Sequence, residues 1–414
     1  MTVVLAGLAT ANTITVAAAQ TGHTEHSHQR VSEDTSLTLR SAVEQALAHY
    51  PEYLMLAAYD QQAGDLRAYG AGLLSGAPSV AMRYQSDAAT GSNGLREYEV
   101  GLNLPLWNPG QRAAARNLGG AATDQAAARQ AMMIWQVAGE VRTALWDIAV
   151  AQNALNASRD GLAVAERVAD SVTRRYEAGD IPRSDTLLAA AAVLEQQSDV
   201  VDKEALLVDA ERGYYVLTGV PMRPAFELET LADIETLPPD HPGMALAEAE
   251  IAQAQAQLSL QRKSVRGNPS LQIGPRRERS VTGGPNDDSI GVTLQIPFGG
   301  SRSTRAQTST TALALAQAEA DRLRRLREYE LALHEAHHSL DAYSNMAELA
   351  AERAKLDETH AAMARTAFNQ GELPLVEYLR FEQAAVASRT EASRLALLVK
   401  RTVAEVNQAA GILP

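Results

Sequence analysis

The side chains best able to do chemistry in this 414-residue chain are histidines and carboxylates. "HTEHSH" sets His23, His26 and His28 around Glu25. Imidazoles so close together capture divalent zinc, cobalt, nickel or copper ions. A tail carrying them would raise the local metal concentration without forming a rigid site, and the competing reading is a plain polar tail. "LHEAHHSL" places His334, His337 and His338 in a helical run, with 334 and 338 on one face. The order H-E-A-H-H is not the H-E-x-x-H of zinc proteases, so a solvated helix surface accounts for it better. The chain has no cysteine, which excludes disulfides, thiolate metal sites and a cysteine nucleophile. There is no glycine-rich phosphate loop, nucleophile elbow or compact acid pair; Asp287 and Asp288 fall in a turn-rich stretch expected to be an external loop. Neither enzymatic chemistry nor a cofactor is expected.

The net charge of −13 argues against nucleic acid as a partner, since binding phosphates needs a basic face. No window approaches the roughly 18 consecutive apolar residues of a spanning helix, so any membrane crossing must be made by strands. The first 19 residues read as an export signal ending in Ala17, Ala18 and Ala19, and residues 20–36 as a flexible histidine-bearing tail.

The elements that must position any site follow from an internal repeat. Gly179 and Gly371 lie 192 positions apart, as do Pro182 and Pro374. The same offset relates the ends of the two copies, Gly219 and Gly411. Residues 37–219 and 243–414 therefore read as two copies of one plan, joined by a linker over 220–242. Each copy runs helix, two strands, long helix, tight break, helix; the opening helices are expected over Leu37 to about Leu74 and Met244 to about Val265.

In "EYEVGLNLPL", Tyr98, Val100, Leu102 and Leu104 alternate with polar residues or glycine, and "SIGVTLQIPF" does the same with Ile290, Val292, Leu294 and Ile296. Period two over about ten residues is a strand with one apolar face, long enough to cross a bilayer when tilted. A soluble sandwich edge would alternate likewise. The helices tip the balance: Gln111 to Tyr176 and Ser303 to Phe368 are 66-residue runs of coiled-coil composition, each about 100 Å long. Gly119 and Gly120 are a plausible bend in the first. The breaks at Gly179-Asp180-Ile181-Pro182 and Gly371-Glu372-Leu373-Pro374 then read as reversals at the far tips of two helical hairpins. Four strands cannot close a barrel, and open edges cannot be left in lipid. If the strands are in a membrane, three chains would supply twelve.

With "YEAGDIPRSDTLLAA" and "FNQGELPLVEYLRFEQA" at the tips, the chain resembles the TolC family of bacterial outer-membrane efflux channels. The resemblance implies an α+β membrane protein. In it a trimeric twelve-stranded outer-membrane β-barrel, four strands per chain, joins a long periplasmic α-helical barrel of coiled-coil hairpins. It implies partners too: two further copies of the chain, outer-membrane lipid, a periplasmic adaptor meeting the tips at residues 179–182 and 371–374, and an inner-membrane RND-type pump. In the family, acids near the second tip ring the tunnel's periplasmic entrance. Here that position is Glu377, with Asp185 as its counterpart in the first copy; a solvated carboxylate favoured by the helix dipole is the alternative. Arg380 stands where some members carry another acid, and it is placed to pair with Glu377 on the same helix face. The overall look is closest to the heavy-metal efflux branch, with small organic molecules as the alternative cargo. A soluble periplasmic coiled-coil scaffold is the competing class.

Overall fold

Long runs without helix breakers set the dimensions of this computed structural model, which describes residues 30–91, 93–225, 229–299 and 302–414. In chain order its elements are β1 (Ser32–Asp34), α1 (Leu39–His49), α2 (Tyr53–Ala71), β2 (Ser79–Ser86), β3 (Arg96–Pro105), α3 (Gln111–Glu177), α4 (Arg183–Thr218), β4 (Met222–Pro224), α5 (Pro242–Ser264), β5 (Ser270–Arg279), β6 (Asp287–Gln295), α6 (Arg302–Asn369) and α7 (Leu375–Ala409). At 67 and 68 residues, α3 and α6 each extend about 100 Å. Helices of that length are held by neighbours along their whole flank rather than by a globular core.

The neighbours are shorter helices laid end to end. Along α3, α2 covers the sheet-side portion, where Arg112 and Arg116 donate to the Ala71 and Gly70 carbonyls at 2.7 and 3.2 Å. Nearer the tip α4 takes over, with Arg159 paired to Glu204 at 2.7 Å. Between them Ala42, Val43 and Ala46 of α1 pack on Val137, Val141 and Ile148 of α3 and on Leu207 and Tyr214 of α4. Along α6 the same job falls to α5, through Arg322–Glu248 and Arg325–Glu250, and to α7, through Arg365–Glu382 and Arg389–Glu358. α3 also meets α5 and α7 laterally, with Arg129 on Glu250 and Arg401 on Asp147.

The strands form one antiparallel sheet in the order β2-β3-β5-β6. Its register sets Val80, Met82 and Tyr84 opposite Leu102, Val100 and Tyr98; Leu104 and Leu102 opposite Leu271 and Ile273; and these opposite Leu294 and Val292. Asn108 ties the foot of the sheet together, its amide donating to the Lys263 and Gly267 carbonyls at 3.2 and 2.8 Å.

Three expectations need correction. The opening helix is not continuous over 37–74: it breaks at Pro51, which lacks the backbone donor a helix interior needs. The tail is not free throughout residues 20–36, because Ser32–Asp34 pairs in parallel with Met222–Pro224 and Val31 is buried. Asp287 and Asp288 open β6 instead of lying in a loop, and Asp288 forms an ion pair with Arg277.

Candidate functional site

Two regions of the molecule stand out as candidate sites, one at each end. At the sheet end, alternation puts every bulky apolar side chain of the four strands on one face, and none of the described residues covers it: Met82 is 80% exposed and Ile290 79%. A soluble monomer does not leave so large an apolar face in water. Aromatic side chains mark its two margins. Tyr84 and Tyr98 stand toward the loops 87–95 and 280–286, while the exposed Phe298 stands toward the helices. Such belts lie at membrane interfaces. The opposite face is polar, with Arg83, Glu97, Glu99, Gln272, Arg276 and Glu278, and Arg276 meets Glu97 at 2.9 Å. Among the described residues no helix is long and apolar enough to cross a membrane.

At the other end the two tips lie side by side. Gly179 and Gly371 adopt φ of 82° and 78°, a left-handed conformation that closes each helix. The Asp180 and Glu372 amides donate back to Arg175 and Ala367 at 2.9 Å, and Pro182 and Pro374 are extended N-caps that launch α4 and α7. Pro182 and Pro374 are exposed, while Ile181 and Leu373 turn inward onto a cluster of Val168, Val172, Phe368 and Tyr378. Arg175 joins the tips: its guanidinium lies 4.6 Å from the centre of the Phe368 ring and donates to the Phe368 carbonyl at 2.8 Å.

Glu377 is exposed and Asp185 half-buried, each in the first turn of its helix, where a negative charge is favoured. Arg380 is also exposed, but among the described ion pairs it makes none with Glu377. The acid that does find partners nearby is Glu382, 5% exposed, which accepts from Arg365 at 2.7 Å and from the Tyr378 hydroxyl at 2.9 Å. Burial pushes the Tyr378 phenol up, and the hydrogen bond to Glu382 pushes the Arg365 guanidinium up. No sequence signal singled out this network, because its members are scattered through helical runs of unremarkable composition.

A second buried network lies mid-length. Arg142, 5% exposed, grips both oxygens of Glu229 at 2.8 and 3.0 Å and reaches Gln408 at 2.5 Å; Asn407 also donates to Glu229 at 3.1 Å. It fastens the segment between the two halves to α3 and α7.

The histidines divide. His23, His26 and His28 lie outside the described residues, as does the segment read as an export signal. His337 is engaged with the Ile234 carbonyl at 2.9 Å, and His334 and His338 stack on the surface with ring centres 6.5 Å apart. Among the described residues no group of three or more potential ligands could hold a metal ion.

The chain thus carries an amphipathic sheet with open edges on a helical body about 100 Å long. Residues 76–220, from just before β2 to just past α4, match the family model of outer membrane efflux proteins. The family is one of passive channels and not of enzymes, and its place is the outer membrane, with a large helical part in the periplasm. The resemblance to TolC-like channels is thereby borne out. Among curated proteins the chain is 26% identical over 288 residues to Protein CyaE of Bordetella pertussis, covering 63% of this chain and 60% of that one. The match thus spans less than two thirds of that relative's length. Among solved structures it superimposes on the outer membrane protein VceC of Vibrio cholerae with a TM-score of 0.72 at 14% identity, over 90% of this chain and 96% of that one. CusC gives 0.69 at 15%, over 90% and 92%. At such identities the likeness is one of fold.

Proposed function

We propose that three copies of the chain pair edge to edge through β2 and β6 into a twelve-stranded barrel, and that this trimer is the passive outer-membrane conduit of a tripartite efflux system. The observation that carries the reading is the uncovered apolar face of a four-stranded sheet whose two edge strands have no partner among the described residues. In lipid every backbone donor and acceptor must be paired, so an open four-stranded sheet has to close with other copies. Residues 37–219 and 243–414 would act as two structural repeats, each giving one hairpin to the wall of a periplasmic helical tunnel. Energy would come from an inner-membrane RND-type pump, coupled through a periplasmic adaptor seated on the tips at residues 179–182 and 371–374. Glu377 and Asp185, with Arg380 beside them, would line the periplasmic entrance.

For cargo we favour divalent heavy-metal cations. The entrance carboxylates suit cations, and the tail bearing His23, His26 and His28 would concentrate metals near the channel.

The test has two parts. Purified protein should run as a trimer and give steps of conductance in a planar bilayer; a soluble monomer recovered without detergent would instead indicate a periplasmic scaffold. A deletion strain expressing the matching pump should become sensitive to zinc, cobalt, nickel, cadmium or copper and regain tolerance with the gene restored. Unchanged tolerance to all five would move the cargo to organic compounds.

A further inference from the structure

Toward the loops 87–95 and 280–286, the apolar rows of the outward sheet face end in arginine. Arg277 lies opposite Tyr98 and donates to both carboxylate oxygens of Asp288 at 2.6 and 2.8 Å. One row further out, Arg96 of β3 and Arg279 of β5 are direct cross-strand partners. Side chains so placed stand about 5 Å apart at Cβ, where like charges repel. Among the described residues neither arginine has an acidic partner, and the Arg279 Nε is shielded from solvent with no hydrogen-bond partner. The neighbouring acids give no relief: Glu97 and Glu278 alternate onto the opposite face, where both engage Arg276. The outward rim therefore holds three arginines against one aspartate, on a chain whose net charge is −13.

Below the rim a shallow groove of about 670 Å³ runs over the same face, lined by Tyr98, Val100, Pro275 and Ile290, with Arg277 and Asp288 at one end. Lipid chains would lie against this face, and the tyrosines would sit at headgroup depth. A largely apolar groove lying one row below two unopposed guanidiniums has the chemistry of an acyl chain joined to a phosphate, since the planar arginine fork matches phosphate oxygens in pairs.

We infer that the outward rim of the sheet binds a phosphorylated lipid of the outer leaflet, with an acyl chain along the Tyr98–Ile290 groove and a phosphate held between Arg96 and Arg279. The site rests on the reading that these strands cross the outer membrane with the helices on the periplasmic side. A bound phosphate would turn the Arg96–Arg279 repulsion into a bridge and tie β3 to β5 at the end far from the helical support.

The test uses the full chain in neutral detergent and the phosphorylated glycolipid lipid A as probe, with binding read by native mass spectrometry. Insertion into phosphatidylcholine vesicles is measured first, and failure there refutes the membrane reading itself. Given insertion, Arg96→Gln with Arg279→Gln should weaken lipid A binding at least tenfold. Arg83→Gln, on the polar face, should leave it unchanged. Arg96→Lys, which keeps the charge but not the fork, should fall between. Because the double variant removes two opposed like charges, its unfolding midpoint in lipid-free detergent should not drop, so lost binding is not lost folding. Equal binding by the double variant, equal binding of dephosphorylated lipid A, or displacement of the lipid by millimolar inorganic phosphate would each overturn the site.

Discussion

Glu377 stands exposed in the first turn of α7, and no described ion pair neutralises it. Three copies around one axis would make a ring of carboxylates, which attracts cations and repels anions at a constriction. Glu377→Gln should then shift the reversal potential in a salt gradient toward that of a non-selective pore; unchanged selectivity would remove Glu377 from the entrance. His241 makes a different kind of prediction. Its ring is 1% exposed, packed on Tyr329 and Trp135 at 4.5 and 5.0 Å, and its Nδ1 caps α5 by accepting from the Gly243 amide at 3.1 Å. Burial pushes the imidazole below its ordinary value, against the pull of Asp240; the Tyr329 phenol facing it is itself raised by burial, with Arg325, Glu328 and Glu250 nearby. Folding therefore favours neutral imidazole. The stability it contributes is complete above the ordinary histidine value of about 6.5, and is lost as pH falls from there toward the lower folded value. A protonated ring also could not accept from Gly243. The unfolding midpoint should drop by a few degrees between pH 7.5 and 5.5, and His241→Asn, which keeps a capping oxygen, should flatten most of that slope.

The pair Gly119-Gly120 shows how two neighbouring glycines in one helix differ. α3 runs through both without interruption, so the bend expected there is not a break in the helix. A Cβ on Gly119 would come within 2.8 Å of the Arg67 backbone in α2, whereas one on Gly120 meets nothing within 4 Å. Gly119 is thus a point of close helix approach, and Gly120 faces open space. Gly120→Ala should raise stability by up to about 1 kcal/mol through helix propensity, while Gly119→Ala should lower the unfolding midpoint by prising α2 from α3. Equal effects at the two sites would refute the distinction. From sequence the two explanations cannot be separated, because a bend and a close approach both select glycine. What was legible was whatever repeats locally: the strands, whose alternation survives in the register, and the long helices and tips, bounded by Gly and Pro. What was not legible depends on partners distant in the chain, such as the β1–β4 pairing and the grip of Arg142 on Glu229 and Gln408. The Pro51 break is an intermediate case. Proline was visible, but a long apolar pattern on either side made one helix look continuous.

The two tasks proposed for the molecule would be separated by the full length of its helices. In the proposed trimer, closure of the barrel would depend on β2, β6 and the outward apolar face, while recognition by an adaptor would depend on reversals about 100 Å away. Beyond their own turns, the tips pack only on each other and on the cluster beneath them, through Ile181, Leu373 and Arg175. A Cβ on Gly371 would have only the Arg175 guanidinium within reach, at 4.0 Å, so the objection to a side chain there is the backbone φ of 78° and not crowding. A β-branched residue is poorly tolerated in that conformation, and Gly371→Val should force the second reversal to rearrange. The displacement would reach Leu373 and Pro374 but leave the sheet and the Arg142 network untouched. The variant should therefore still assemble as a trimer with normal single-channel conductance in bilayers, yet fail to restore efflux in a deletion strain. Loss of the trimer itself would mean that the tips help hold the protomers together, and assembly and docking would then be one task and not two.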